Sequence, residues 1–549
     1  MSDRMSTGDV QNIDRDSSSI GPMTLIKQWL KECQNHKDCP EQLESALPTR
    51  VIRVPISKDT NPSIMTSSGA IGKYVALSHC WGRNVPLITT QETLLIYQKE
   101  IVVESLPKTF RDAINLTREL GMEYLWIDSL CIIQDSVEDW AQECSKMAGV
   151  YMRATLVVAA AAAADSTQGL FSPRDILRGP YLDDVGSLYL RERVTSRKAQ
   201  LTSPLASRAW AYQEGLLAPR LLLYNEHQMS WECRQGTKDE GVNIVVSSNN
   251  SCSKKAFYES IERLSSASTA RKSISHGRES VMRNICNRLD TWYACVEDYS
   301  HRQLTQQDDK LPALSGLATA IQNPALGEYL AGIWSKDLGT GLFWARHTAR
   351  EELFGRPFFK YGRYRAPSWT WASHEGPVNF RVQQDISSRP AIASDVTFGR
   401  NSGEYIPKLV EHNILLATSD IYGRVLPGSS ITLEGYWRKI KRFNLVHTQT
   451  HGSWLSQELP RPQRGGIVND GSFDIRRDHP QGLQEKYIWA KPDDISAHYV
   501  LLRFPSNRCL MLTSAGDQKW KRAGCCILPS DDHIQNALYS WNKSTFVII

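Results

Sequence analysis

The stretch Leu106–Asp135, LPKTFRDAINLTRELGMEYLWIDSLCIIQD, constrains the fold more than any other part of the chain. Pro107 sits where a helix can begin, since its missing N–H costs nothing in a first turn. Phe110, Ala113, Ile114, Thr117 and Leu120 then recur at helical spacing, with Lys108, Arg111, Asp112, Arg118 and Glu119 mostly on the other side. Gly121 follows, where a left-handed cap suits glycine. Tyr124-Leu-Trp-Ile127 is apolar at every position, as a strand buried on both faces of an α/β sheet should be. It ends on Asp128. A carboxylate there lies where open α/β sheets bind ligands, and it is equally able to cap the next turn.

The neighbouring segments repeat this alternation. Val51–Val54 reads as a short strand, and Tyr74-Val-Ala-Leu77 as a central strand running into Ser78-His79-Cys80-Trp81-Gly82. Thr89-x-x-Glu92 has capping-box spacing for a helix through Ile101. Trp140, Cys144, Met147, Ala148 and Tyr151 form a second helical stripe, and Thr155–Ala164 is another apolar run expected to be a strand. Strand, helix, strand, helix, strand predicts an α/β layer with a largely parallel sheet flanked by helices. Further on, Ser207 is placed to N-cap a helix carrying Trp210, Glu214 and Leu217 on one face. Leu221–Tyr224 and Gln228–Cys233 follow as strands, with Asn225 in the turn between them.

A chain of 549 residues exceeds what one hydrophobic core usually serves. Residues 1–20, rich in Ser and Asp, are expected to be a disordered N-terminus, and 21–50 a short helical lead-in. Residues 51–235 make the α/β domain, and 236–280, rich in Ser and Asn, a linker or mobile loop. Residues 281–549 are expected to be helical and then β-rich, with strands such as Ser430–Trp437 and Tyr499–Phe504. There Ala366-Pro-Ser-Trp-Thr-Trp371 places Trp369 and Trp371 on one side of a strand, as core residues.

The net charge of +5 is dispersed, which argues against nucleic acid as a partner. The longest apolar run, Leu156–Ala164, is too short for a membrane span. Met1-Ser-Asp-Arg has no signal-peptide core, so most of the twelve cysteines are expected to stay reduced, as in cytosol or nucleus. Cys33-x-x-His36-x-x-Cys39 offers three zinc-type ligands. No fourth ligand lies nearby in sequence and the spacing matches no common zinc module, so no metal is expected. His79 and Cys80 suggest a thiol nucleophile, yet neighbours at a strand end point to opposite faces and cannot easily form a thiol–imidazole pair.

Four blocks together resemble the fungal heterokaryon-incompatibility (HET) domain: Tyr74-Val-Ala-Leu-Ser-His-Cys-Trp-Gly82, Leu106-Pro-Lys-Thr-Phe110, Tyr124–Asp135 and Arg208-Ala-Trp-Ala-Tyr-Gln-Glu214. The resemblance runs from roughly Tyr74 to Glu214. It departs at Ile133, where many family members carry Asn before the Gln. It implies a cytoplasmic fungal protein of non-self recognition and programmed cell death, working by self-association or with another incompatibility protein. A link to a secondary-metabolite gene cluster is the other setting it allows.

HET domains also resemble TIR domains, some of which hydrolyse NAD with a Trp followed four residues later by Glu. Trp210 and Glu214 have that spacing. The resemblance therefore implies NAD as a substrate, no cofactor, and Glu214 as the essential carboxylate. A carboxylate beside an N-glycosidic bond can stabilise the oxocarbenium-like charge that develops as nicotinamide leaves. If the sheet is parallel, His79 and Asp128 share one rim. Trp81 is then placed to stack on a base, Asp128 to accept ribose hydroxyls, and Ser207 at the helix start to face a phosphate. Trp210 completes the candidate substrate-binding set. The competing reading is a non-enzymatic self-associating module in which Glu214 pairs with an Arg and the tryptophans only pack.

Overall fold

The computed structural model describes residues 13–14, 16–41, 44–82, 87–171, 174, 203–246, 253–266, 274–346, 364–380, 407–440, 499–504, 508–527 and 542–549. Most of the N-terminal stretch expected to be disordered, residues 1–12, lies outside them. The chain forms two compact units, 1–322 and 323–549.

The first unit opens with helix α1 (Ile20–Gln34), which buries Ile26, Trp29, Leu30 and Cys33 along one stripe. The hairpin β1 (Arg50–Arg53) and β2 (Ser63–Thr66) follows, then β3 (Tyr74–Ser78), buried at every position. The predicted helix of the opening stretch is α2 (Lys108–Glu119), ended by Gly121 at φ 69°. Next come β4 (Tyr124–Trp126), α3 (Val137–Arg153), β5 (Leu156–Ala159), α4 (Ala209–Leu217) and β6 (Arg220–Tyr224). Three further strands are β7 (Met229–Cys233), β8 (Gly236–Asp239) and β9 (Val242–Val246). Helices α5 (Lys254–Ser266), α6 (Ile274–Ser300) and α7 (Pro312–Ile321) complete the unit.

Nine strands form one sheet in the order β9-β8-β7-β6-β5-β3-β4-β1-β2. The centre, β4-β3-β5-β6, is parallel as the alternation of strands and helices requires. The sheet as a whole is mixed, which corrects the expectation of a largely parallel one. Every pairing outside that centre is antiparallel. For β6 to β9 the reason is connection length. Parallel neighbours need a crossover of a dozen or more residues, whereas the short turns at Asn225–Gln228, Arg234–Gln235 and Glu240–Gly241 only permit hairpins.

Residues 236–280, predicted as a linker, instead supply β8, β9 and α5. Gly241, at φ 83°, turns the β8–β9 hairpin. The buried ammonium of Lys254 then donates to the carbonyls of Gly215, Leu216 and Ala218 at the end of α4. That places a cation on the negative end of a helix dipole and satisfies carbonyls left without intrahelical partners. Burial lowers the Lys254 pKa to about 8. Helix α4 is also fixed from α7, where the Gly316 N–H donates to Gln213 Oε1 at 2.7 Å.

The second unit is β-rich, as expected. Strands β10 (Lys408–Asn413), β11 (Ser430–Ile440), β12 (Tyr499–Arg503), β13 (Arg508–Gly516), β14 (Lys519–Ile527) and β15 (Asn542–Ile548) form one sheet. Strand β15 also pairs with β11, so the strand order closes on itself. Trp369 and Trp371 are core residues, but in a turn and a short 3₁₀ segment rather than a strand. The Trp371 indole N–H donates to Gly332 O at 2.9 Å, which holds it side-on to that backbone.

A Cβ on Gly316 would lie 2.2 Å from the Ala148 Cβ of α3. Gly316→Ala should therefore force α7 and α3 apart and cost about 1–3 kcal/mol, read as a lower denaturant midpoint. An unchanged midpoint would contradict this packing.

Candidate functional site

The site grows from the register of two parallel strands. Ala76 of β3 lies opposite Trp126 of β4, so both strands end on one rim. The chain leaves β3 through His79 and β4 through Asp128, and His79 Nδ1 lies 3.8 Å from Asp128 Oδ1. Asp128 is held through both of its carboxylate oxygens. Its Oδ1 accepts the Ser129 backbone N–H at 2.7 Å, and its Oδ2 accepts the Trp81 indole N–H at 2.9 Å. Trp81 is thus held by its edge on the rim. Gly82 follows at φ 80°, and a Cβ there would meet the Asp165 Cβ at 2.3 Å, so only glycine lets the chain pass.

The facing loop is tied to the same rim. Thr89 donates its hydroxyl to Leu130 O and its N–H to Ser129 O. The predicted capping box at Thr89 and Glu92 is displaced by one residue. Thr90 and Thr93 exchange backbone-to-hydroxyl bonds instead, ahead of the short helix Leu94–Lys99. A hydroxyl at the third position closes the turn as a carboxylate would, and Thr89 is already committed to the rim.

Glu214 comes to this rim from α4. The Ser78 hydroxyl donates to its Oε2, and the Tyr151 hydroxyl of α3 also bonds to the carboxyl group. Glu214 and His79 are each only 2 % exposed. Burial pushes the Glu214 pKa up to about 7, against the Arg208 charge and the Ser78 bond, which favour the anion. Arg208 itself donates to the His79 carbonyl.

His79 shows the opposite consequence of burial. Its pKa falls to about 4 despite the Asp128 charge, and neither ring nitrogen has a hydrogen-bond partner. Its ring meets Phe110 edge-on at 5.1 Å. Burial also raises the Cys80 pKa to about 11, so this thiol stays protonated and makes a poor nucleophile.

The structure therefore gathers Glu214, Asp128, His79 and Trp81 into one cluster. Ser207 and Trp210 are directed elsewhere. The Ser207 hydroxyl is exposed and turns back to Pro204 O, in a 3₁₀ turn that precedes α4. Arg208, not Ser207, stands at the N-cap, without a side-chain cap bond. The backbone of the turn pairs with Gln303, through Gln303 N to Ser207 O and Ala209 N to Gln303 O. Half-buried Trp210 donates its indole N–H to Asp309 Oδ2 at 3.2 Å.

Sequence reasoning missed Ser78, Tyr151 and Arg208. Ser78 carried one signal, a hydroxyl at the end of an otherwise apolar strand. Tyr151 lies on the apolar stripe of α3, where its hydroxyl looks incidental.

Compared with known families, residues 74–214 match the family model "Heterokaryon incompatibility protein (HET)". The match begins at the first residue of β3 and ends on Glu214, so it spans the whole cluster. No curated protein and no solved structure matches the chain.

The cluster has a pH signature. The folded chain holds the Glu214 proton up to about pH 7, whereas a solvated glutamate releases it near 4.5. Its stabilisation is complete below pH 4.5 and lost as pH rises toward 7. His79 acts in the other sense, contributing fully above pH 6.5 and losing that contribution as pH falls toward 4. Glu214→Gln removes only the first effect. Relative to wild type it should gain up to about 3 kcal/mol between roughly pH 5 and pH 8, by denaturant titration. Parallel stability curves would show that Glu214 is not a buried acid.

Proposed function

Starting from the heterokaryon-incompatibility match over residues 74–214, we propose that this chain is a fungal incompatibility effector of non-self recognition and programmed cell death. Its HET domain acts as a signalling module, associating with a second copy of the chain or with another incompatibility protein. The observation that carries this reading is the sealing of Glu214. A carboxylate that works on a ribose must touch it, and here the group is 2 % exposed and engaged by Ser78 and Tyr151. In that setting the carboxyl group ties α4 to β3 and α3. A neutral acid does this at low cost, because no ionic charge is taken out of water.

One observation favours a second reading, NAD cleavage by a TIR-like site. The two nitrogens of His79 are unpartnered on the rim that also carries Asp128 and Trp81, and the Glu214 pKa of about 7 suits an acid–base group. On this reading the domain opens to admit the dinucleotide. Trp81 faces a base, Asp128 holds the ribose, and Glu214 stabilises the charge left as nicotinamide departs.

Purified chain incubated with NAD and assayed for nicotinamide separates the two, alongside host-cell killing by wild type and Glu214→Gln at matched protein levels. The module reading expects no nicotinamide and undiminished killing by the folded variant. Nicotinamide release that Glu214→Gln abolishes together with killing would overturn it in favour of the glycohydrolase.

A further inference from the structure

The three candidate ligands Cys33, His36 and Cys39 acquire a fourth from across the sheet. Cys33 lies in the last turn of α1. The turns that follow, His36 N to Cys33 O and Cys39 N to His36 O, repeat every three residues and bring all three side chains to one side. Cys233 is the last residue of β7, 197 positions beyond His36. The three thiol sulfurs and one imidazole nitrogen all lie within 4.8 Å of one another. His36 Nδ1 is 3.5 Å from Cys233 Sγ and 3.6 Å from Cys39 Sγ.

These separations are those of a coordination shell. Zinc at its usual distances from sulfur and imidazole nitrogen sets tetrahedral edges of about 3.6 Å between N and S. We propose that Cys33, His36, Cys39 and Cys233 bind one zinc ion as a closed, structural Cys₃His site. Three thiolates and an imidazole select a soft-tolerant tetrahedral metal, and four protein ligands leave no open position for chemistry.

The surroundings suit a bound centre of net charge −1. The buried Arg220 guanidinium donates to Pro40 O, next to Cys39, and the buried Lys254 ammonium lies within electrostatic reach of Cys233 and Cys39. A disulfide is the competing use of the cysteines. It would join two sulfurs and leave the imidazole between them unexplained, and all three cysteines are free. The ion would fasten α1 and its following loop to the outer strands of the sheet, closing a loop of about two hundred residues. The site lies outside the matched segment 74–214 and is independent of the reading of Glu214.

The test is elemental analysis of full-length protein purified without chelator. One zinc per chain is expected, with Cys233→Ser and His36→Ala each lowering it at least several-fold and Cys144→Ser leaving it unchanged. Cobalt exchanged into the wild-type protein adds a readout that does not depend on the variants folding. Tetrahedral visible bands with strong thiolate-to-cobalt charge transfer are expected. Metal-free wild-type protein, zinc that survives Cys233→Ser, a different resident metal, or a Cys33–Cys233 disulfide in the non-reduced protein would each overturn the assignment.

Discussion

The first unit depends on the placement of β3 between two parallel neighbours. Tyr74–Ser78 is buried throughout, with β4 on one side and β5 on the other, in registers that end the strands together. A one-residue slip would turn each side chain to the opposite face. It would also carry Ser78 away from Glu214 and His79 away from Asp128. The Tyr74 hydroxyl, donating to Val150 O, and the Tyr151 hydroxyl, donating to Leu77 O at 3.3 Å, pin the strand to α3 near both ends.

On this frame the protein buries polar groups in an unusual balance. Asp128 is partly accessible, with its side chain 14 % exposed, and keeps partners for both oxygens. Glu214 and His79 lie deeper, and burial drives both toward neutrality by opposite shifts. The two effects share an origin: a low-dielectric pocket penalises whichever form carries charge. The unpartnered His79 ring is the cost of this arrangement, since buried polar atoms are otherwise nearly always bonded.

Helix α4, which presents Glu214, is held by parts of the chain far from it in sequence. Lys254 gathers its last carbonyls, Gln213 accepts from α7, and the Tyr258 hydroxyl donates to Leu217 O at 2.6 Å. This explains why the unit extends well past β6. The segment 236–280 looked like a linker because it is rich in Ser and Asn. Its contributions are a hairpin on the sheet edge and a lysine serving backbone carbonyls, and neither leaves a strong pattern in sequence.

The sequence by itself determined the local elements: the amphipathic α2, the unalternated strands β3, β4 and β5, and the glycine stops. Apolar pattern and period are properties of neighbours along the chain, so the strand ends at His79 and Asp128 were legible, and a parallel pairing was enough to set them on one rim; the heterokaryon-incompatibility resemblance from Tyr74 to Glu214 was legible too. Tertiary structure alone decided the antiparallel flanks, the turning of Ser207 and Trp210 away from the cluster, and the partnership of Ser78 and Tyr151 with Glu214. It alone set Cys233 beside Cys33, His36 and Cys39. These are contacts between residues tens to hundreds of positions apart. Their geometry follows from how helices pack on the sheet, which no local spacing records.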